Sequence, residues 1–460
     1  RDQQLPQDGN DVVLTLDSRL QRITETILEE ELYKMREGLP PFDGDDQAPL
    51  ANTAAAVILD VNTGEVLTMA SYANSSYEYN LNEFAQGIST ETFGNLNRDP
   101  SKPLFPIAFQ GGMEPGSVFK MLVGIAALEE GTVTTRETIL DRGKLNMYAP
   151  KCWSTRSHGS VNLMDALKIS CNYYFTAVGD RMDIWELHKW AEAYGLHGPT
   201  GLELLQMGGR MDFNYVSSPD VVEDNRQRAL PSKLKAGMRK YFGVELTDRQ
   251  IGDLIKIDRQ YSKKDKYSKL DDYVRMEELV DEESQVVHNK VVSKLYNIFF
   301  EGTWDQYEYY GTFIGQSATS VSPLAVSRYI AALVNGSKVM ETHVLKEVRS
   351  SEGALVQKTE PVYNQLNVKE EYVAAVKEGM RRVVYNESGP GGRGSAVRVF
   401  ADIDPEITLG GKTGTAQINP NNPDKNNAWF ASFTPYENPE IAVVVTVPNG
   451  KTSGNAAPIA

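Results

Sequence analysis

The sequence predicts an α+β protein: an antiparallel sheet flanked by helices, a helical subdomain beside it, and a largely helical insertion. Three observations carry this. Alternating apolar runs near both ends read as strands: "TAAAVILDV" and "EVLTMAS" early, and "PEITLGGKTGTAQ", "NAWFASFTP" and "PEIAVVVTV" late. Between them, apolar residues recur at helical spacing. From about residue 206 to 311 the composition shifts to dense charge over that same spacing, as in "SKLKAGMRKYF" and "VVHNKVVSKLYNIFF".

In chain order, "DVVLTLD" reads as a strand, and Asp17 caps a helix in which Leu20, Ile23, Ile27 and Leu28 share a face. The two early strands flank "NTG" and predict a hairpin at roughly 54 to 71. "GSVFKMLVGIAALEEG" sets Phe119, Leu122, Val123, Ala126 and Ala127 on one buried helical face ending at Gly131. A further helix is predicted near 161 to 169, with Leu163, Ala166 and Leu167 on one side. In the insertion Val287, Val291, Leu295 and Phe299 lie at four-residue steps, and its basic clusters, interspersed with acids, read as a solvated helical face. The boundaries follow as 1–52, an N-terminal linker or remnant of a preceding region; 53–205 and 312–460, two parts of one domain; and 206–311, the insertion.

With 460 residues, 41% hydrophobic and 24% charged, the chain suits two or three globular domains. A net charge of −15 argues against a nucleic-acid partner. No run of about 18 apolar residues is present, so neither a membrane span nor a signal peptide is read. The beginning "RDQQLPQ" and the end "GNAAPIA" both read as cut, with any anchor lying outside them.

Chemistry concentrates at three places. "EPGSVFK" puts Ser117 and Lys120 three apart where a helix begins, so a desolvated, neutral lysine lies one turn from a hydroxyl that needs a base. Free N–H groups at that helix start can stabilise developing negative charge. "SCN" adds Ser170, a proton relay, and Asn172, an amide to hold a substrate carbonyl. "KTGT" follows an alternating strand: Gly414 permits close backbone approach, while Lys412, Thr413 and Thr415 can hold a carboxylate.

S-x-x-K, S-x-N and K-T-G in this order resemble the signature of penicillin-binding proteins and serine β-lactamases. The blocks "NRDP", "MEPGSVFKM", "HGSVNLMDALKISCNYYF", "TFIGQSATSVSPLAVSRYIAALVNG" and "GGKTGTAQ" extend it over about 11 to 205 and 312 to 460. The chain is most similar to a class B penicillin-binding protein of the Gram-positive elongation or sporulation type.

The resemblance implies a penicillin-binding-protein fold and a D,D-transpeptidase that cross-links peptidoglycan stem peptides through an acyl-enzyme on Ser117 and is inhibited by β-lactams. Lys120 would be the base, Ser170 and Lys412 proton shuttles and Asn172 the amide binder. The N–H groups of Ser117 and Thr415 would form the oxyanion hole, and the Thr413 and Thr415 hydroxyls would take the terminal carboxylate. No cofactor is implied for the chemistry. Partners would be a SEDS-type membrane glycan polymerase and other elongation or sporulation proteins. The location would be the extracytoplasmic face of the membrane, with the N-terminal helix, the pedestal and a closing helix after "AAPIA" outside this chain. Rival readings are a β-lactamase or β-lactam sensor, against which no E-x-x-x-N element is found between S-x-N and K-T-G, and a catalytically silent wall-binding module. One departure is Ser317 after Gln316, where the family shows glycine.

Both cysteines and a histidine fall in "KCWSTRSHGSVNLMDALKISCN". Cys152, His158 and Cys171 fit a structural Zn(II), with Asp165, Asp141 or water as fourth ligand. A Cys152–Cys171 disulfide, closing a loop of about 20 residues, and two plain thiols are the alternatives. The histidine favours zinc, because a disulfide leaves it unexplained.

Overall fold

In a computed structural model the chain is described at residues 9–77, 87–204, 214–280, 285–419 and 421–460. It forms two compact units, one of residues 1–217 with 306–460 and one of 218–305.

Twelve strands are described in the first unit. Short ones are β1 (Asp11–Leu14), β4 (Ile139–Leu140), β5 (Ser160–Val161), β6 (Lys338–Met340), β7 (Leu345–Arg349), β8 (Leu355–Lys358) and β9 (Tyr363–Gln365). The main sheet holds β2 (Thr53–Asp60), β3 (Val66–Ala73), β10 (Gly410–Ala416), β11 (Asn427–Thr434) and β12 (Ile441–Val447), antiparallel in the order β10-β11-β12-β2-β3. The hairpin expected at 54 to 71 is β2–β3, turning through Gly64 at φ 79°. The three late apolar runs are β10, β11 and β12.

Helices cover the sheet. Helix α1 (Ser18–Glu37) lies on β2 and β3, capped by Asp17, whose carboxylate accepts from the N–H groups of Arg19 and Leu20. Its buried stripe is Thr24, Leu28, Leu32 and Met35, whereas Ile23 and Ile27 are 46% and 37% exposed. The expected face is thus rotated by about one residue, or roughly 100°. Leu28 and Leu32 join Val383, Phe430 and Val445 in one core cluster. β11 is buried nearly end to end, as a strand covered on both faces must be.

The site-bearing helices are α2 (Lys120–Glu129), α3 (Leu163–Lys168) and α4 (Asn172–Gly179). The helix expected from 116 begins as a 3₁₀ turn, Gly116–Phe119, before α2 starts at Lys120. α2 is buried all round from Lys120 to Leu128 rather than on one face, because α3, α4 and a later helix surround it.

Among the described residues the second unit holds four helices: α5 (Pro219–Phe242), α6 (Asp248–Gln260), α7 (Lys263–Met276) and α8 (Gln285–Phe300). Leu234, Leu254, Leu270, Val291, Leu295 and Phe299 form its own core. Val287 stays 38% exposed, so the four-residue stripe of α8 enters the core only from Val291 onward. Arg226 and Lys266 both bond the buried Asp258. The boundary expected at 205/206 lies outside the described residues. Back in the first unit, α9 (Pro323–Val334) packs on β2, β11 and β12, and α10 (Glu370–Val384) packs on β10, α2 and α3. Among the described residues no helix is long and apolar enough to cross a membrane.

Candidate active site

Ser117 sits on the 3₁₀ turn, directly against the edge strand β10. Two glycines allow this approach. Gly116 takes φ 54°, and a Cβ there would lie 2.6 Å from the Thr415 carbonyl oxygen. A Cβ on Gly414 would lie 2.8 Å from the Pro115 carbonyl oxygen and 3.1 Å from the Val118 nitrogen. Both contacts are to backbone, which cannot swing aside. Gly414→Ala is therefore expected to push β10 off the turn and slow any acylation of Ser117 by about 100-fold, since a misplacement near 1 Å costs that much. Rates of labelling by a fluorescent penicillin check it; an unchanged rate overturns the close-approach argument.

Lys120 lies one turn on and is wholly buried. Its Nζ donates to the Ser170 carbonyl oxygen at 3.0 Å, Ser170 Oγ at 3.3 Å and Asn172 Oδ1 at 2.7 Å. Burial lowers its pKa to about 8, against a raising influence of Cys171 and Cys152. Lys412, the third residue of β10, is equally buried and donates to Ser170 Oγ at 3.0 Å and to the Thr413 carbonyl oxygen at 2.8 Å. Desolvation first, then the neighbouring Lys120 charge, pushes its pKa well down.

Ser170 thus stands between two lysines from opposite sides of the site. It follows α3 at φ 56°, a left-handed conformation that L-residues rarely adopt. A hydroxyl has two acceptor sites and one proton, so it can receive from both lysines or pass its proton to whichever is neutral. Asn172 begins α4; its Nδ2 donates to the Lys151 carbonyl oxygen at 3.2 Å.

Ser117, Ser170, Asn172, Thr413 and Thr415 line one cavity of about 510 Å³. The Ser117 hydroxyl makes no hydrogen bond among the described residues, which leaves it open to a ligand. Thr415 Oγ1 accepts the Ser453 N–H at 2.9 Å, and Thr413 Oγ1 lies 2.6 Å from Ser395 Oγ. Sequence reasoning missed Trp153, Arg393, Ser395 and Lys451–Ser453, which also line the cavity. Only "GGRGSA" carried a signal, an arginine in a glycine-rich loop. No described lining residue is a carboxylate. At the departure from the family's glycine, Ser317 takes φ 68°, so the backbone keeps the glycine-like conformation. Its hydroxyl is anchored on Ser217 Oγ at 2.9 Å and on Glu308.

Behind Ser170, four buried side chains converge: Asp141, Cys152, His158 and Cys171. The β4–β5 pair brings Asp141 beside His158, and Cys171 caps α4, its Sγ accepting the Tyr174 N–H at 3.5 Å. Cys152 Sγ lies 3.9 Å from Cys171 Sγ and 3.5 Å from His158 Nδ1, which lies 2.7 Å from Asp141 Oδ2. Around a tetrahedral zinc the S–S and S–N edges are about 3.8 and 3.5 Å, which the two thiols and His158 match. The 2.7 Å from His158 to Asp141 is a hydrogen-bond contact, shorter than the N–O edge of about 3.3 Å, so Asp141 would ligate only after parting from the imidazole. The Cys171 S–H lowers the Cys152 pKa, and Cys171 is raised in turn, so the pair shares one proton. Both thiols are free. Asp165, a sequence candidate for fourth ligand, is instead paired with Arg382 at 3.1 Å and Lys168 at 3.5 Å; the residue at the cluster is Asp141. Trp153 bridges cluster and cleft: its ring lies 5.4 Å from His158, and its Nε1–H donates to the Ile169 carbonyl oxygen at 3.0 Å.

The profile of the penicillin binding protein transpeptidase domain matches residues 54–218 and 301–460. A Haemophilus influenzae protein named peptidoglycan D,D-transpeptidase MrdA is 27% identical over 426 residues, 88% of this chain and 51% of the relative. The Escherichia coli K12 protein of that name is 25% identical over 97% of this chain and 56% of its own. Penicillin-binding protein 2A of Bacillus subtilis is 24% identical over 96% and 48%. The chain spans about half the length of these curated relatives. Among solved structures, Pseudomonas aeruginosa PBP2 superposes with a TM-score of 0.60 at 23% identity, covering 98% of this chain and 77% of that one. The imipenem acyl-enzyme of Mycobacterium tuberculosis penicillin-binding protein A gives 0.61 at 21%, covering 98% and 78%. These likenesses are of fold.

Proposed function

The chain belongs to the penicillin-binding protein transpeptidase family, and on that premise we propose that it is a peptidoglycan D,D-transpeptidase that is acylated and inhibited by β-lactams. The observation that carries the reading is Ser170 Oγ, held at 3.3 Å from Lys120 Nζ and 3.0 Å from Lys412 Nζ at the wall of the cavity that Ser117 lines.

Neutral Lys120 takes the Ser117 proton as Oγ attacks the carbonyl carbon of the penultimate D-Ala of a donor stem peptide. The backbone N–H groups of Ser117 and of Thr415, on the edge strand, face the developing oxyanion. Collapse breaks the C–N bond; the departing D-Ala amine receives the proton through Ser170, which either lysine can supply. The Thr413 and Thr415 hydroxyls hold the terminal carboxylate and Asn172 the peptide amide. An acceptor amine then attacks the ester carbonyl and gives up a proton, which returns through Lys120 to the Ser117 oxygen as the C–O bond breaks, forming the amide cross-link and freeing Ser117. The absence of a carboxylate among the described cavity-lining residues favours transpeptidase over β-lactamase, because none stands ready to activate water against a β-lactam ester.

Intact mass after incubation with benzylpenicillin is expected to show one adduct on Ser117 that is lost slowly. Rapid loss would mean a lactamase, and no adduct a silent binding module. Because the base must be neutral, acylation is expected to rise with pH and level off above about 8, the pKa of Lys120. A profile that is flat or falls toward pH 8 contradicts the base assignment.

The cluster of Asp141, Cys152, His158 and Cys171 is assigned to a structural zinc ion. Bound there, the ion supplies cross-linking of the segments before α3 and α4 and no chemistry at the reacting carbonyl. The native setting is the extracytoplasmic face of the membrane, with the partners of cell elongation. Supporting this are the MrdA relatives, a Helicobacter pylori PBP2 structure in complex with MreC, and a structure of a peptidoglycan synthase complex coordinating polymerization and crosslinking.

A further inference from the structure

We propose that Arg393 makes this cleft selective for donor peptides that carry a second carboxylate, on a side chain, in addition to the terminal one. This rests on the transpeptidase reading and names the substrate class within it.

The chain's net charge is −15, yet the described residues lining the cavity include Arg393 and Lys451 and no acid. Lys120 and Lys412 are buried, both are engaged with Ser170, and neither lines the cavity, so neither offers its charge to a ligand there. Lys451 is engaged, its Nζ donating to the Gln47 carbonyl oxygen at 3.2 Å and lying 3.7 Å from Asp424. Arg393 has no hydrogen bond or ion pair among the described residues. The arginines just upstream contrast with it: Arg381 is paired with Glu378 and Glu387, and Arg382 with Glu378 and Asp165.

The backbone carrying Arg393 is held in place. Gly391, at φ 79°, lies so close to Ile169 that a Cβ would meet its Cδ1 at 2.2 Å, and a Cβ on Gly394 would meet the Arg382 carbonyl oxygen at 2.1 Å. The Ser395 N–H donates to the Lys168 carbonyl oxygen at 3.2 Å, and its hydroxyl is 2.6 Å from Thr413 Oγ1. The backbone of Arg393 is therefore fixed two residues from the hydroxyl pair assigned to the terminal carboxylate, with its side chain exposed at the cavity wall. A guanidinium binds a carboxylate through two parallel N–H bonds, a geometry that neither a neutral nor a cationic side chain can use. With the terminal carboxylate on the threonines, this fork serves a second one.

The test measures Ser117 acylation, as kcat/KM, with two donors. Both are D-Ala-D-Ala peptides identical but for the third residue, whose side chain ends in a carboxylate or in the corresponding primary amide. The wild type is expected to favour the carboxylate by about 10- to 100-fold, chiefly through KM, with the preference shrinking as salt rises. In Arg393→Ala the ratio is expected to fall near one, and Arg393→Lys to restore part of it. A wild-type ratio near one overturns the proposal. So does a ratio that persists in Arg393→Ala while both donors slow equally, which would put the guanidinium on the terminal carboxylate. Failure of both donors to acylate the wild type would remove the transpeptidase reading and this inference with it.

Discussion

Lys120→Met is expected to slow penicillin acylation of Ser117 by about 10³-fold or more while leaving a folded protein, because it removes the proposed base and shortens nothing. Methionine fills nearly the same volume, so the surrounding helices keep their packing. The charge it deletes is one whose burial is unfavourable, its pKa having fallen to about 8. What is lost is a set of three bonds, to the Ser170 carbonyl oxygen, Ser170 Oγ and Asn172 Oδ1. Stability should therefore change little, since relief of desolvation offsets the orphaned acceptors. The residual rate should also lose its rise toward pH 8. Stopped labelling with fluorescent penicillin and a melting curve read both quantities. A variant within tenfold of wild type would move the base elsewhere, with Lys412 the next group to test.

Removal of the zinc proposed at the Cys152–Cys171 cluster is expected to produce the second large effect, on stability before chemistry. A structural ion at a free concentration about 1,000 times its Kd stabilises by about 4 kcal/mol, or roughly 5 °C in Tm for a unit as large as the first one. Elemental analysis should find one zinc per chain, and a strong chelator should lower the melting temperature by that order. Acylation should slow by about tenfold, the range seen when support around a functional group is loosened. The reason is local: Cys171 lies between Ser170 and Asn172, and Trp153 ties His158 to the carbonyl of Ile169. Ser170 is held at φ 56°, a conformation its surroundings must impose. Metal-free protein with unchanged Tm and acylation rate would remove the structural role. A mass two units below the reduced form would mean a disulfide instead.

Much of the fold was legible because its signals are local. The β2–β3 hairpin alternates around a turn, Asp17 caps a helix, and β10 to β12 are apolar runs parted by turn residues. Faces were less legible. Ile23 and Ile27 satisfy helical spacing yet face outward, because the stripe that meets β2 and β3 runs through Thr24, Leu28 and Leu32. Periodicity gives a stripe but not the angle at which a sheet meets it. The 3₁₀ start of the Ser117 turn is also invisible to periodicity, being set by the approach of β10 at Gly116 and Gly414.

By itself the sequence determined the order of the chemistry. Ser117 with Lys120, Ser170 with Asn172, and Lys412 to Thr415 are short motifs whose internal spacing is set by one turn or one strand. It also brought Cys152, His158 and Cys171 under suspicion. Tertiary structure alone decided that Lys412, 242 residues from Ser170, reaches the same oxygen as Lys120. It chose Asp141 over Asp165 as the carboxylate beside the thiols, Asp165 being held by Arg382 and Lys168. And it brought Arg393 into the cleft with no partner among the described residues. The meeting of the two lysines depends on α10 packing against both β10 and α3, and the carboxylate beside the thiols on the β4–β5 pair. Neither leaves a periodic trace along the chain.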